Sequence, residues 1–172
     1  LDLILEQDTT NVGIAAVSAF ASHQFGRPNP YPFCAAPLDY IYKKNKGVFY
    51  RGVGRSGKGT GLGALGKGVY ISWEQGMAQA YAKRQGAGGV VKKYKLKRGL
   101  KIADAGGMGQ PDQDFIDAKA EMGFAPQQFS DDPMFAGALT MLLKKKKFAG
   151  AVSDDVAIGI CIFDEKNLKE IK

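Results

Sequence analysis

An arginine that ends a predicted strand and precedes a glycine-rich loop is the feature of this sequence with the clearest chemical meaning. Residues 48–51 read Val-Phe-Tyr-Arg, and glycine recurs throughout residues 52–68. The planar guanidinium of Arg51 suits bidentate binding of phosphate, and successive glycine N–H groups can form an anion-binding concavity. Together they predict a ligand that carries phosphate. The structural alternative is an exposed arginine ahead of a flexible loop.

A second apolar run ends in a serine that opens a helix. Residues 69–72 read Val-Tyr-Ile-Ser, and Gln75 follows Ser72 by three positions, which is the spacing of a capping box. The spacing by itself predicts that Ser72 caps the helix and that Tyr70 belongs to the core of the strand before it.

The other elements predict an α+β domain, because strands and helices are mixed without a regular βαβ repeat. Residues 90–97 alternate between apolar side chains and lysines, as in a half-buried strand, and residues 156–163 are apolar on both faces, as in a central strand. Further helices are predicted at residues 9–25, 37–44, 112–122 and 133–147, the last with Asp132 as its cap and Pro133 in its first turn.

Composition limits the class of protein. A length of 172 residues predicts one domain, with a helical part at 1–46 and a core at 47–172. The net charge of +7 suits a polyanionic partner, although lysines at a helix end and on the solvent side of a strand account for it equally well. One histidine and two distant cysteines predict no metal site, and the lack of a long apolar run predicts no membrane span.

Three segments in this order resemble the ADP-ribosyltransferase superfamily, which includes bacterial toxins and the poly(ADP-ribose) polymerases. They are GVFYRG at 47–52, GKGVYIS at 66–72 and VVKKYKLKRGLKIAD at 90–104. The resemblance covers residues 47–104 and 133–171. It implies a split β-sandwich, in which two small, mainly antiparallel sheets form a cleft for NAD+ and helices flank them.

The resemblance also implies roles for single residues. Arg51 corresponds to the arginine that contacts NAD+ in one branch of the family, in the place where the polymerase branch has a histidine. Tyr70 falls where the family's tyrosine stacks on the nicotinamide ring, and Ser72 falls near a serine of the toxin branch. The expected ligand contacts are thus Arg51, Gly52, Tyr70 and Ser72, with NAD+ as a substrate and no metal.

One position departs from the family. Counting back from Phe163-Asp164, the glutamate that stabilises positive charge as nicotinamide leaves is replaced by Gly159. Three explanations are open: the glutamate was removed to tame a toxic enzyme, the domain is a natural NAD+-binding pseudoenzyme, or Asp154 or Asp155 supplies the carboxylate. A glycine inside an apolar strand weakens it, so we favour the first and expect this chain to transfer ADP-ribose slowly or not at all.

Two further interpretations come from other classes of protein. Gly52, Gly57 and Lys58 match most of a P-loop, but Gly59 occupies its Ser/Thr position and the following residues are poor helix formers. The glycine loop and the lysines together also suit a non-enzymatic module that binds nucleic acid, although no RNA-binding signature supports it.

The resemblance implies a macromolecular acceptor, protein or nucleic acid, for mono-ADP-ribosylation. Because the chain starts at leucine without a signal-peptide pattern, we expect a piece of a longer polypeptide or a processed product. We expect a monomeric toxin or effector domain that acts in a cytoplasm, after secretion or delivery with that longer polypeptide. A toxin would also have an immunity or chaperone protein as a partner.

Overall fold

The structure, a computed structural model, describes residues 36–56, 61–106, 111–126, 128–130, 132–154 and 159–172. All of them belong to one unit, Phe33–Lys172. The helices are α1 Ala36–Lys44, α2 Gln75–Arg84, α3 Gln113–Glu121 and α4 Pro133–Lys145, and a 3₁₀ turn spans Glu165–Asn167. The strands are β1 Val48–Val53, β2 Leu62–Gly63, β3 Gly66–Lys67, β4 Val69–Ile71, β5 Val90–Leu96, β6 Ile102–Asp104, β7 Gly150–Val152, β8 Ile160–Ile162 and β9 Leu168–Ile171.

The strands form two main sheets and a short hairpin. One sheet has the order β1-β5-β9, the other has the order β4-β8-β7-β6, and β2 pairs with β3. Within the described ranges the pairing is antiparallel except between β6 and β7. An isolated antiparallel bridge between Tyr50 and Ser72 joins the two main sheets. The predicted α+β class with mainly antiparallel sheets is confirmed.

Apolar clusters cover both faces of the four-stranded sheet. The strands β7 and β8 are therefore buried along their whole length. On one face, Leu38 and Ile41 of α1 pack with the apolar side chains Phe49, Ile71, Ile102, Val152, Ile160 and Ile162. On the other face, α3 and α4 contribute Phe115, Phe135, Leu139 and Leu143, which pack with Ala103, Ala151 and Cys161. The strand burial predicted from the apolar run at 156–163 is therefore confirmed for β8.

Helix α2 lies directly against the three-stranded sheet, and glycine makes this approach possible. A Cβ atom on Gly52 would lie 2.0 Å from the Ala78 carbonyl oxygen and 2.6 Å from the Ala82 nitrogen. A Cβ atom on Gly89 would lie 2.1 Å from the Ala82 oxygen. The close packing of backbone on backbone therefore requires glycine at both positions.

Several predicted elements need correction. The loop predicted at 52–68 contains the β2–β3 hairpin, whose two strands pair with each other. Residues 168–171 form β9, because they pair with the distant strand β5. Helix α2 begins at Gln75 with Glu74 as its cap, later than the capping box at Ser72 predicts. The strand predicted at 156–163 is β8, which begins at Ile160, after Gly159.

Other predictions hold, or lie outside the described residues. Asp132 caps α4, since its side chain accepts hydrogen bonds from the N–H groups of Met134 and Phe135, with Pro133 at the first position. The helix predicted at 9–25 lies outside the described residues, and the single-domain interpretation stays a prediction. In the part of the chain that is described, every helix is too short or too polar to cross a membrane.

Candidate functional site

The middle of β1, the end of β4 and the start of β8 lie near the bridge between the two sheets. The backbone N–H groups of Tyr50 and Ser72 each donate to the carbonyl oxygen of the other at 2.8 Å. Ile71 pairs with Ile160, so one further step in that register sets Gly159 opposite Ser72. The bridge therefore brings Gly52, Ser72 and Gly159, which are distant in sequence, to neighbouring strand ends.

The site residues do not all project from the same face of the sheet. Directly paired residues of antiparallel strands point to one side, so Tyr50 and Ser72 share a face. Strand alternation adds Gly52 and Tyr70 to that face and sends the Arg51 side chain to the opposite one. The structure thus brings the backbone of Arg51 to the site while its guanidinium leaves on the other face of β1.

Arg51 has charged neighbours on its own face. Its cross-strand partner is Lys92, whose Nζ atom lies 3.0 Å from Oε2 of Glu170. The hydrogen bond to Glu170 raises the pKa of Lys92, and the charge of Arg51 opposes that rise. Arg51 itself is half-buried.

Tyr70 fixes the β2–β3 hairpin to the sheet. Its hydroxyl accepts a hydrogen bond from the Leu65 N–H at 3.0 Å and donates one to the Gly66 carbonyl oxygen at 2.8 Å. Burial, with Cys161 adding to it, raises the pKa of Tyr70 well above its ordinary value. The hydroxyl therefore stays protonated and positions the hairpin, and the half-buried ring is the part of Tyr70 suited to contact a ligand.

Tyr81 is a second aromatic side chain near Gly52, and the sequence did not single it out as a functional residue. A Cβ atom on Gly52 would lie 3.0 Å from the Tyr81 Cβ atom, and 41% of Tyr81 is exposed. The Arg84 guanidinium lies 5.8 Å from the centre of its ring. The spacing of residues along the chain predicts only that Tyr81 lies on a helix. Its proximity to β1 depends on the close packing of α2 on Gly52, which the spacing does not show.

The start of α2 lies beside Ser72. The Ser72 hydroxyl oxygen accepts a hydrogen bond from the Glu74 N–H at 3.1 Å, and Glu74 makes no side-chain hydrogen bond to cap the helix. The first turn of the helix contains no acidic residue. Backbone N–H groups at a helix start attract negatively charged groups such as phosphates.

Three aspartates lie at the carboxyl ends of β6 and β7. Oδ1 of Asp104 accepts a hydrogen bond from the Gly106 N–H at 2.8 Å, and Oδ2 of Asp112 accepts one from the Asp104 N–H at 2.7 Å. Burial raises the pKa of Asp104 to about 6, and the charges of Asp112 and Asp154 add to this rise. Asp104 is therefore partly protonated near neutral pH.

Asp154, one of the alternative acids, lies close to Gly159. The Asp154 N–H donates to the Gly106 carbonyl oxygen at 3.2 Å, and the N–H of the preceding Ser153 donates to the Gly159 carbonyl oxygen at 3.0 Å. These bonds place the Asp154 backbone next to the strand end that holds Gly159. The other alternative, Asp155, lies outside the described residues.

Gly159 is required by the local backbone geometry. Its φ of +75° lies in the left-handed region, and a Cβ atom would lie 2.8 Å from the Ile71 carbonyl oxygen. Gly159 also precedes β8 and does not interrupt it. The left-handed φ and the close Ile71 oxygen thus give a structural reason for glycine at this position, and its interpretation as the place of a lost glutamate stays a prediction. A glutamate at this position would require the backbone to move.

Comparison of the chain with protein-family models, with curated proteins and with solved structures gives no match. Among the described residues, no group of three His, Cys, Asp or Glu side chains is arranged to hold a metal ion. The family resemblance therefore rests on residues 47–104 and 133–171 alone, and the assignment stays a prediction.

Replacing Gly159 with alanine should lower the free energy of unfolding more than the same change at Gly99. Both glycines have a left-handed φ, +75° and +76°, so both variants incur the cost of about 1–2 kcal/mol for an L-residue there. Gly99 has open space around it, whereas Gly159 faces the Ile71 oxygen. Urea denaturation of the two variants measures the difference. Equal decreases in the free energy of unfolding would mean that the contact between the new Cβ atom and the Ile71 oxygen is relieved without cost.

The pH dependence of stability should reveal the buried Asp104. Its pKa is raised in the folded state, from 3.8 to about 6, so folding is favoured by protonation and is penalised as the pH rises through this range. Asp104→Asn keeps an acceptor for the Gly106 N–H and should increase stability at pH 8 by up to about 3 kcal/mol, with little effect at pH 4. Glu165→Gln, at an exposed position, controls for the loss of one charge. A gain that is constant from pH 4 to pH 8 would contradict the assignment.

Proposed function

We propose that this chain is an NAD+-binding domain of the ADP-ribosyltransferase type, which transfers ADP-ribose to a macromolecular acceptor. The observation that carries the proposal is the bridge between Tyr50 and Ser72. It brings the middle of β1 to the residue that follows β4 and precedes α2, and the glycine-rich loop connects the two strands in sequence. The resemblance implies a ligand site made by these segments.

The fold is compatible with the proposed split β-sandwich. The two main sheets are mostly antiparallel, helices flank them, and the bridge is the place where they meet. The proposed cleft for NAD+ lies at this junction, on the face that Gly52, Tyr70 and Ser72 share. Helix α2 covers the Gly52 end of this face, so the proposed site lies beside the start of α2.

Each part of NAD+ has a suitable counterpart. The glycine-rich loop suits the two phosphates, and the N–H groups at the start of α2 add to it, although the acidic cap residue Glu74 opposes an anion there. The rings of Tyr70 and Tyr81 suit stacking on planar groups. Arg51 lies within β1 and not at its end as predicted, and its side chain leaves on the face opposite the proposed site, so its contact with NAD+ stays a prediction of the resemblance.

The proposed reaction breaks the bond between nicotinamide and C1′ of the ribose. The electron pair leaves with nicotinamide, C1′ takes on oxocarbenium character, and a nucleophilic atom of the acceptor bonds to it while its proton passes to water or a nearby carboxylate. An anion near C1′ stabilises the developing positive charge. Gly159 supplies none, and Asp154 is the described carboxylate of the same strand-end region.

The P-loop alternative is disfavoured by the structure of the segment that follows its motif. A P-loop requires a helix directly after the Lys-Ser/Thr pair, with the helix start directed at the phosphates. Here the described residues 62–67 form the β2–β3 hairpin. An NAD+-binding pseudoenzyme remains the second candidate, because Gly159 has no carboxylate and its backbone favours glycine.

Calorimetry with NAD+, with Mg-ATP and with RNA tests the proposal. NAD+ should bind, and Arg51→Ala should weaken binding by much less than the cost of a lost charged hydrogen bond, about 1.5–3 kcal/mol, because the guanidinium projects from the face of β1 opposite Gly52, Tyr70 and Ser72. The matched control is Arg55→Ala, which removes an exposed arginine four residues later. Equal losses in the two variants would mean that only net charge matters. Binding of Mg-ATP without any response to NAD+ would reject the proposal.

Release of nicotinamide separates an enzyme from a pseudoenzyme. If Asp154 supplies the anion, Asp154→Asn should lower the rate of release by about 10²–10³-fold, while NAD+ affinity changes little, because the carboxylate acts on charge that develops in the transition state. Asp164→Asn is the surface control. NAD+ binding without any release from the unaltered chain would establish the pseudoenzyme, and release that Asp154→Asn leaves unchanged would exclude Asp154.

A further inference from the structure

One face of the three-stranded sheet is only partly covered. Helix α2 packs on this face over Gly52 and Gly89, at one end of β1 and β5. Toward the other end, Lys93 and Lys95 of β5 project from the same face, and cross-strand pairing adds Lys169 of β9. All three lysines are exposed. We call these three residues the lysine face.

The charges of the lysine face are not neutralised within the described part of the chain. Lys95 and Lys169 are direct cross-strand partners, and like charges in this arrangement destabilise a sheet. The ion pairs between described residues involve lysines elsewhere, at positions 92, 101, 144 and 146. The sheet thus carries a repulsive arrangement that a polyanion would relieve.

Apolar side chains on the neighbouring strands lie beside these lysines. Lys93 is paired with Tyr50 on one side and with Ile171 on the other, and Lys95 is paired with Val48. Tyr50, Ile171 and Val48 are all half-buried. A positively charged surface with an aromatic ring on it is typical of proteins that bind single-stranded nucleic acid, where bases stack on the ring.

The lysine face is continuous with the proposed NAD+ site. Ser72, Tyr50 and Lys93 form one cross-strand row on the same face. Because neighbouring strands are about 4.8 Å apart, the backbone of Lys93 lies roughly 10 Å from that of Ser72. A chain bound along the lysines would therefore pass the proposed NAD+ site.

We propose that the lysine face binds single-stranded nucleic acid and presents it as the acceptor of the transferred ADP-ribose. The part concerning the acceptor rests on the proposed function, whereas the binding does not. Alternate residues of a strand are about 6.8 Å apart, so Lys93 and Lys95 match a continuous phosphate backbone better than the scattered carboxylates of an acidic protein. A nitrogen or oxygen of the nucleic acid bonds to C1′ as nicotinamide leaves, and its proton passes to water.

Fluorescence anisotropy with short single-stranded RNA and DNA tests the binding. The full chain should bind at low salt, and the logarithm of affinity should fall linearly with the logarithm of salt concentration. In the combined variant Lys93→Gln, Lys95→Gln, Lys169→Gln, the slope should decrease by about 2, since each phosphate contact contributes about 0.7 for a single strand. The control variant Lys44→Gln, Lys145→Gln, Lys166→Gln removes the same charge from exposed positions elsewhere and should keep the slope.

A further variant tests stacking apart from charge. Tyr50→Leu keeps an apolar side chain and should weaken binding of the oligonucleotides roughly 5- to 100-fold with the salt slope unchanged. Polyglutamate serves as the acidic-protein probe and should compete weakly. Thermal unfolding checks the fold of each variant, and the Lys95→Gln and Lys169→Gln changes should not lower the midpoint, because they remove a like-charge pair.

Several outcomes would overturn the proposal. They are an equal loss of slope in both lysine variants, unchanged binding in the variant of the lysine face, and polyglutamate that binds as tightly as the oligonucleotides. Calorimetry with NAD+ on the variant of the lysine face should give unchanged affinity. Oligonucleotide binding without NAD+ binding would reject the transferase and keep the lysine face, and the reverse result would reject only the lysine face.

Discussion

The two hydrogen bonds between the backbones of Tyr50 and Ser72 hold the two main sheets together at one point. Strand β1 belongs to the three-stranded sheet and β4 to the four-stranded sheet. These two hydrogen bonds join the backbones of the two sheets. The bridge fixes which residues of each sheet face one another, and therefore which side chains can contact one ligand. The bridge brings Gly52 near Ser72, and the pairing of β4 with β8 brings Gly159 to the same place.

Glycines let backbone approach backbone around this junction. Gly52 admits helix α2, a Cβ atom on Gly68 would lie 2.3 Å from the Ile162 oxygen, and one on Gly150 would lie 2.4 Å from the Cys161 oxygen. At each position a side chain would separate two elements that are in direct contact. The glycines near the junction thus serve close packing as well as the loop.

Charge is distributed unevenly around this junction. The acidic side chains of Asp104 and Asp154 lie on the side of Gly159, and the lysines of β5 and β9 lie beyond Tyr50 on the other side. Burial makes the acidic side partly neutral, since the pKa of Asp104 is raised to about 6. A ligand with a cationic ring and an anionic diphosphate, next to a polyanionic acceptor, suits a site that has both signs of charge within a few strands.

The sequence by itself determined the elements whose signals are local. The cap at Asp132, the proline that follows it and the alternation along β5 were sufficient to predict α4, β5 and the α+β class, because capping and periodicity depend on neighbouring residues. It also marked Arg51, Tyr70 and Ser72 as candidates. Only the tertiary structure decided that the Arg51 side chain leaves on the opposite face, that Tyr70 holds a hairpin and that Gly159 needs a left-handed φ. Each of these depends on contacts with residues distant in the chain, such as the Ile71 oxygen against Gly159, which no local pattern encodes.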